Sequence, residues 1–323
     1  MTATETSTDP RPPADRVLLG CMGLGGSWDP SPYSPADVDA AEAVITAALE
    51  SGITAFDHAD IYRHGKAEAV FGEVLARTPG LRERITLQSK CGIRLADGDR
   101  PGLYDLRGPT IVRKVEKSLT RLRTDFLDVL LLHRPDPLAD PAEVAEALES
   151  LHRQGIVRRF GVSNMNAAQI GRLQAHLGLP LVANQLEMSL LRRDWLEDGV
   201  LVNTPASAGV GFPAGTVEHC LDRGIALQAW GPLAQGRYTG RQQTPEEYAT
   251  AELVAELAKA KGTTPETIVL WWLRRHPARV SPVVGTTDPG RIRACRDAAV
   301  DAPDLDHEEW YRLWITARGA ALP

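Results

Sequence analysis

The chain has 323 residues, a formal net charge of −6 and a pI near 5.8, with 43% hydrophobic and 24% charged residues. That is the composition of an ordinary globular enzyme, and without a basic stripe it argues against a nucleic-acid partner. No apolar run approaches the roughly 20 residues that a membrane helix needs. Cys21, Cys91, Cys220 and Cys295 lie far apart with no CxxC pair, which argues against a metal site or a disulfide scaffold and fits a reducing cytoplasm.

In chain order, the opening MTATETSTDPRPPADR lacks the basic and apolar regions of a secretory leader. Its Thr, Pro and acidic content predicts a disordered arm over residues 1–14, ahead of one domain spanning 15–323. The glycine-rich segment GCMGLGGSW (20–28) reads as tight backbone, with Trp28 a pocket wall. It is not a dinucleotide fingerprint, because no strand–turn–helix unit surrounds it. A helix over 35–50 then leads into the first apolar run, ITAFD (53–57).

Six more runs follow: 85–90, 126–133, 158–164, 181–187, 225–230 and 279–286. Each is short, apolar and rich in Leu or β-branched residues, as strands buried on both faces are. Helical patterns separate them at 109–121, 141–154, 167–177, 216–223, 245–261 and 265–275, several opening on proline. Ser163 and Asn164 are predicted to cap the helix after the fourth run. Strands alternating with helices imply parallel βαβ units. With a weaker eighth strand expected over 294–300, the fold class is α/β, a single-domain closed (β/α)8 TIM barrel.

Polar residues stand at the C-terminal ends of the runs: Asp57, Lys90, His133, Ser163 with Asn164, Gln185 late in the fifth, and the aromatic Trp230. In a barrel these ends meet on one face, where such enzymes carry out their chemistry. A buried lysine needs a partner, and Asp57 on the adjacent strand supplies one. Tyr62, five residues past Asp57, can place its hydroxyl over that pair. The ammonium is expected to lower the phenol from its usual value of about 10. Such a site has an acid and two groups able to stabilise negative charge, and no protein nucleophile, paired carboxylates or metal ligands. The missing nucleophile points to a hydride carried by a cofactor. Two rivals are a barrel lyase using Lys90 as a Schiff-base amine, which Asp57 would oppose, and a non-catalytic or slow cofactor-binding sensor.

The stretches FDHADIY, LQSKCGI, RTDFLDVLLLHRPDP, GIVRRFGVSN, ANQLEMSLL, AWGPLAQGRY and VVGTTDPGRIR resemble the aldo-keto reductase superfamily, in its bacterial branch, from about Arg16 to Trp310. The resemblance implies a catalytic tetrad of Asp57, Tyr62, Lys90 and His133, with Tyr62 the general acid in NADPH-dependent reduction of a small carbonyl substrate. It implies Ser163, Asn164 and Gln185 at the nicotinamide carboxamide, Trp230 stacked on the ring, and Gly231 and Leu233 beside the cofactor. Gly285, Thr286, Thr287 and Arg291 match the region that grips the ribose 2′-phosphate, where a helix start at 288–290 adds backbone donors. Some relatives have lysine in place of Gly285, which leaves NAD(H) as the second choice behind NADP(H). Trp28, Tyr104, Trp195 and Phe212 are the expected pocket walls and suggest an apolar or aromatic substrate. Relative to that branch, the sixteen residues VLVNTPASAGVGFPAG (200–215) are extra, either a surface insertion or a lid.

Overall fold

Several helices open on a capping side chain followed by proline, which fixes where each begins. Ser34 precedes α1 (Pro35–Glu50), Asp140 precedes α4 (Pro141–Arg153), and Thr244 and Thr264 precede α8 (Pro245–Lys261) and α9 (Pro265–Arg274). The side chain accepts a free N–H of the first turn, and the proline sits where no N–H is needed. The other α-helices of five residues or more are α2 (Lys66–Arg77), α3 (Gly108–Leu122), α5 (Ala167–Gln174), α6 (Asp194–Val200), α7 (Thr216–Asp222), α10 (Pro289–Ala294), α11 (Arg296–Val300) and α12 (His307–Arg318). The computed structural model of the chain describes residues 17–300 and 304–323, so the arm expected over residues 1–14 lies outside it.

Eight parallel strands close into a barrel: β1 (Leu18–Gly20), β2 (Ala55–Asp57), β3 (Thr86–Cys91), β4 (Leu127–Leu132), β5 (Val157–Ser163), β6 (Leu181–Glu187), β7 (Ala226–Trp230) and β8 (Ser281–Val284). Neighbours in sequence are neighbours in space, and Leu18 beside Val283 closes the ring. The strand expected over 294–300 is therefore wrong. That segment is helical, and the buried Ile292 just before it, with Cys295 and Ala298 inside it, recur every third residue, a helical and not a strand spacing. The closing strand is the N-terminal Leu18–Gly20, too short to stand out beside the glycines that follow it.

Alternation along each strand divides the core. Leu19, Phe56, Leu87 and Leu130 join the layer packed against the helices, whereas Leu18, Ala55 and Val283, and Val129 with Leu131, form separate clusters between the strands. Gly161 marks a register shift in β5, where a Cβ would lie 2.6 Å from the Ala183 carbonyl oxygen and 2.7 Å from Leu131. The cap after β5 is Asn166, which forms a capping box with Gln169, and not Ser163–Asn164. Asn164 instead turns the chain at φ 57°.

Candidate active site

Each residue at the mouth of the barrel stands two positions after an interior one, as strand geometry requires: Asp57 after Ala55, Lys90 after Gln88, His133 after Leu131, Gln185 after Ala183, Trp230 after Gln228. The sequence thus aims them at one point. Lys90 is 1% exposed and its Nζ donates to Asp57 Oδ2 at 2.6 Å, to the His58 carbonyl at 3.0 Å and to the Tyr62 hydroxyl at 3.1 Å. Three donors and three acceptors satisfy the buried ammonium fully. Tyr62 is held above it by the turn that follows, in which Arg63 and His64 both take left-handed conformations. The His133 ring meets the Tyr62 ring edge-on at 6.1 Å, and its Nδ1 is buried without a protein partner.

Beside this group Ser163 Oγ donates to the Gln185 carbonyl at 3.0 Å and accepts from Asn164 Nδ2 at 2.7 Å. Asn164 Oδ1 in turn accepts the Trp230 indole N–H at 3.2 Å, which pins the plane of that ring. A cleft of about 800 Å³ runs from here to the start of α10. It is lined by Asp57, Tyr62, His133, Ser163, Asn164, Gln185, Trp230, Gly231, Leu233, Gly285, Thr286, Thr287 and Arg291, and by Trp28 at its mouth. These residues, with Lys90 beneath, are brought together as the sequence anticipates.

Three expected pocket walls are not among the residues lining it. Trp195 is 3% exposed and packs against Trp272 and His276, because its helix α6 presents its apolar side to α9. Tyr104 lies exposed on the hairpin of Ile93–Arg94 with Leu103–Tyr104. Phe212 packs against the outer core. The cleft walls are built without residues 200–215, and the run from Asn203 to Gly211 is largely exposed. The α10 start is also different from expectation: Asp288 caps it, and its carboxylate already accepts the N–H groups of Gly290 at 2.7 Å and Arg291 at 3.2 Å. Those backbone donors are spent.

Comparison with known proteins agrees with this geometry. The sequence model of the Aldo/keto reductase family matches residues 16–315. The chain belongs to the aldo/keto reductase family. It is 36% identical over 312 residues to the oxidoreductase YcsN of Bacillus subtilis (strain 168), covering 95% of this chain and 96% of that one. A 6-dehydroglucose reductase of Agrobacterium fabrum (strain C58) is 35% identical, covering 94% of each chain. Among solved structures, a thermostable aldo-keto reductase complexed with the inhibitor epalrestat superposes with a TM-score of 0.75 at 25% identity, over 98% of this chain and 100% of that one. An aldo/keto reductase of Klebsiella pneumoniae, complexed with NADP and acetate, does so at 0.68 with 26% identity, over 92% of this chain and 89% of that one.

In this aldo/keto reductase burial is the largest single influence on the proton affinities of the site, and it decides the direction for Tyr62 and His133 but not for Lys90. Burial pulls the Lys90 ammonium down, but Asp57 and Tyr62 together carry it above the ordinary lysine value. The expectation that Lys90 would lower the Tyr62 phenol overall is not met. Burial raises the phenol, and Asp57 adds to that, so the opposing pull of Lys90 is outweighed. Burial, with Lys90 and Arg134, pushes His133 down to about 3, which makes it a neutral imidazole. Tyr62 therefore holds a proton it can give to an oxygen placed above it, and His133 offers a neutral polar edge.

Several cleft residues escaped the reading by strand ends. Arg241, Gln235 and Gly236 belong to the irregular segment after β7, where no periodicity flags a position. Ile61 and Arg134 simply adjoin residues that were found, and Met22 lies within the glycine-rich segment 20–28. Below the cleft, Gln88 and Gln228 carried a readable signal, a polar side chain two positions before the strand-end residue of an apolar strand.

Proposed function

We propose that this protein reduces an aldehyde or ketone to the alcohol, with NADP(H) as hydride source and Tyr62 as the proton donor. The observation that carries the proposal is the Lys90 ammonium bridging Asp57 at 2.6 Å and the Tyr62 hydroxyl at 3.1 Å, beneath a cleft of about 800 Å³ whose lining runs from Tyr62 to Arg291. When bound, the dihydronicotinamide supplies a hydride to the carbonyl carbon. Tyr62 gives its proton to the carbonyl oxygen as negative charge builds there, and the adjacent ammonium steadies the phenolate left behind. Asp57 fixes Lys90, and the neutral His133 helps orient the oxygen.

The residues of the cleft suit such a cofactor. Trp230, pinned by Asn164, offers a flat apolar face to a ring, and a Cβ added at Gly231 or Gly285 would meet nothing within 4 Å. At the far end Arg241 and Arg291 flank Gly236, and neither guanidinium has a carboxylate partner among the described residues. Since Asp288 has taken the helix-start N–H groups, the arginines are what favours a phosphate there. Arg291→Ala is expected to raise the KM for NADPH about tenfold or more while changing that for NADH less than about threefold. Equal effects on both cofactors would remove the 2′-phosphate assignment.

Met22, Trp28 and Ile61 beside Tyr62 favour an apolar or aromatic carbonyl. The four cysteines are all unpaired and buried, which supports a reducing, cytoplasmic setting. Among the described residues, no helix is long and apolar enough to cross a membrane. The direct test is NADPH oxidation against a panel of aliphatic, aromatic and sugar aldehydes and ketones, the sugars included because of the 6-dehydroglucose reductase relative. Turnover of at least one group is expected; none across the panel would overturn the proposal.

A further inference from the structure

Beneath Asp57 the barrel interior is polar at a level where aliphatic layers are usual. Gln88, Gln185 and Gln228 are each 4% exposed or less. Strand register sets Asp57 beside Gln88 and Gln185 beside Gln228, so the side chains meet across the barrel axis. None of the three follows from the need to fill space, for which Leu or Val would serve without the cost of burying an amide.

Asp57 gives this group a direction. Its Oδ2 is taken by Lys90, and its Oδ1 receives Gln88 Nε2 at 2.6 Å and Gln185 Nε2 at 3.2 Å. A carboxylate only accepts, so both glutamines must turn their NH2 ends toward it. Each NH2 has one more hydrogen, and both go to Gln228 Oε1 at 2.9 Å. Gln228 must therefore show its oxygen to the pair, and its own Nε2 donates to Gln88 Oε1 at 3.0 Å. Every amide in the ring is thereby assigned end for end. One acceptor is left without a partner among the described residues, Oε1 of Gln185, on a residue that lines the cleft.

We propose that the glutamine ring is a positioning device, with Gln228 holding the Gln185 amide so that the cleft is offered an acceptor at this point and never a donor. This rests on the nicotinamide reading above, in which the matching donor is the carboxamide NH2 of the ring. Gln228 does not line the cleft, so it acts through Gln185. Without the Gln228 oxygen, the Gln185 amide keeps only its 3.2 Å bond to Asp57 Oδ1, an oxygen that Gln88 already holds at 2.6 Å, and this weaker tether leaves it free to turn part of the time. The carboxamide then meets a mixture of donor and acceptor in place of a fixed acceptor.

The test uses Gln228→Leu, and Gln228→Met as a second variant of similar volume should the first not fold. Binding is followed by quenching of tryptophan fluorescence, so no turnover is needed. The dissociation constant for NADPH is expected to rise about tenfold, the scale of one well-placed hydrogen bond, whereas 2′-phospho-ADP-ribose, which lacks the nicotinamide, binds unchanged. The wild-type chain is expected to prefer NADP⁺ to its 3-acetylpyridine analogue, in which a methyl replaces the carboxamide NH2, and the variant to lose that preference. Equal weakening of both ligands, or a variant that keeps the preference, would overturn the proposal. A wild-type chain that binds 2′-phospho-ADP-ribose as tightly as NADPH would instead overturn the nicotinamide reading beneath it.

Discussion

At the scale of single residues, the proton inventory of the site sets how activity responds to pH. Tyr62 is raised by burial, and Lys90 is raised by Asp57 and Tyr62 against the opposing effect of burial, so both keep their protons through the neutral range. His133, pushed down to about 3 by burial and by the nearby Lys90 and Arg134, has already lost its proton well below that range. Reduction needs the proton on Tyr62, which is present below its pKa and lost only above it. The expected profile of kcat/KM is therefore flat from about pH 5 to about pH 9 and falls on the alkaline side, where an ordinary histidine would have given a step near about 6.5. A step near neutrality that vanishes in His133→Asn would contradict this. Lys90 was the legible residue here, because a lysine ending an apolar strand has no structural use without an anion. The direction of the Tyr62 shift was not legible: it depends on how deeply the phenol is buried, which no local pattern reports.

At the scale of elements, strand ends and helix starts were readable and the connections between them were not. Runs of apolar residues located β2 to β8 within a few positions, and proline at the head of a helical pattern located the starts of α1, α4, α8 and α9. The three-residue β1 was missed because closure of a barrel asks for only a few backbone pairs, and α11 was mistaken for a strand because five residues are too few for a helical period to show. Three of the four expected pocket walls are not in the cleft for a related reason. Trp195, Tyr104 and Phe212 lie in segments whose course is set by tertiary packing, and large aromatics find the core as readily as a cleft. One close approach between elements is testable directly. Gly72 on α2 faces the end of α3 so closely that a Cβ would lie 2.1 Å from the Arg121 carbonyl oxygen. Gly72→Ala would gain helix propensity but must separate two packed backbones, and the clash wins. The expected cost is about 2 kcal/mol or more in urea unfolding, with retained activity in the folded fraction. A neutral or stabilising substitution would show that α2 and α3 are not held this tightly.

At the scale of the whole molecule, the buried site makes stability depend on pH. His58, packed 4.6 Å from Phe71 with neither ring nitrogen partnered in the protein, is held down to about 3 by burial and by Lys90. The unfolded chain takes up that proton near the ordinary histidine value of about 6.5, the folded chain only near 3. Its contribution to stability is thus present above about 6.5 and is lost as pH falls toward 3; His133 acts in the same sense. Asp60, raised by burial to about 6 despite Lys114 at 2.8 Å, works the other way and offsets part of the loss. Between about pH 6 and pH 4, His58→Leu should lose about 1.4 kcal/mol less per pH unit than the wild-type chain, measured by urea unfolding. Parallel slopes would mean that His58 is not a buried neutral base. The central claim concerns the whole assembly of barrel, cleft and proton donor, and one substitution tests it most directly. Tyr62→Phe removes the hydroxyl that Lys90 holds at 3.1 Å and little else. With any carbonyl compound that the wild-type enzyme reduces, kcat is expected to fall by about a hundred- to ten-thousandfold while NADPH still binds as tightly. Retention of full activity by the phenylalanine variant would contradict the account.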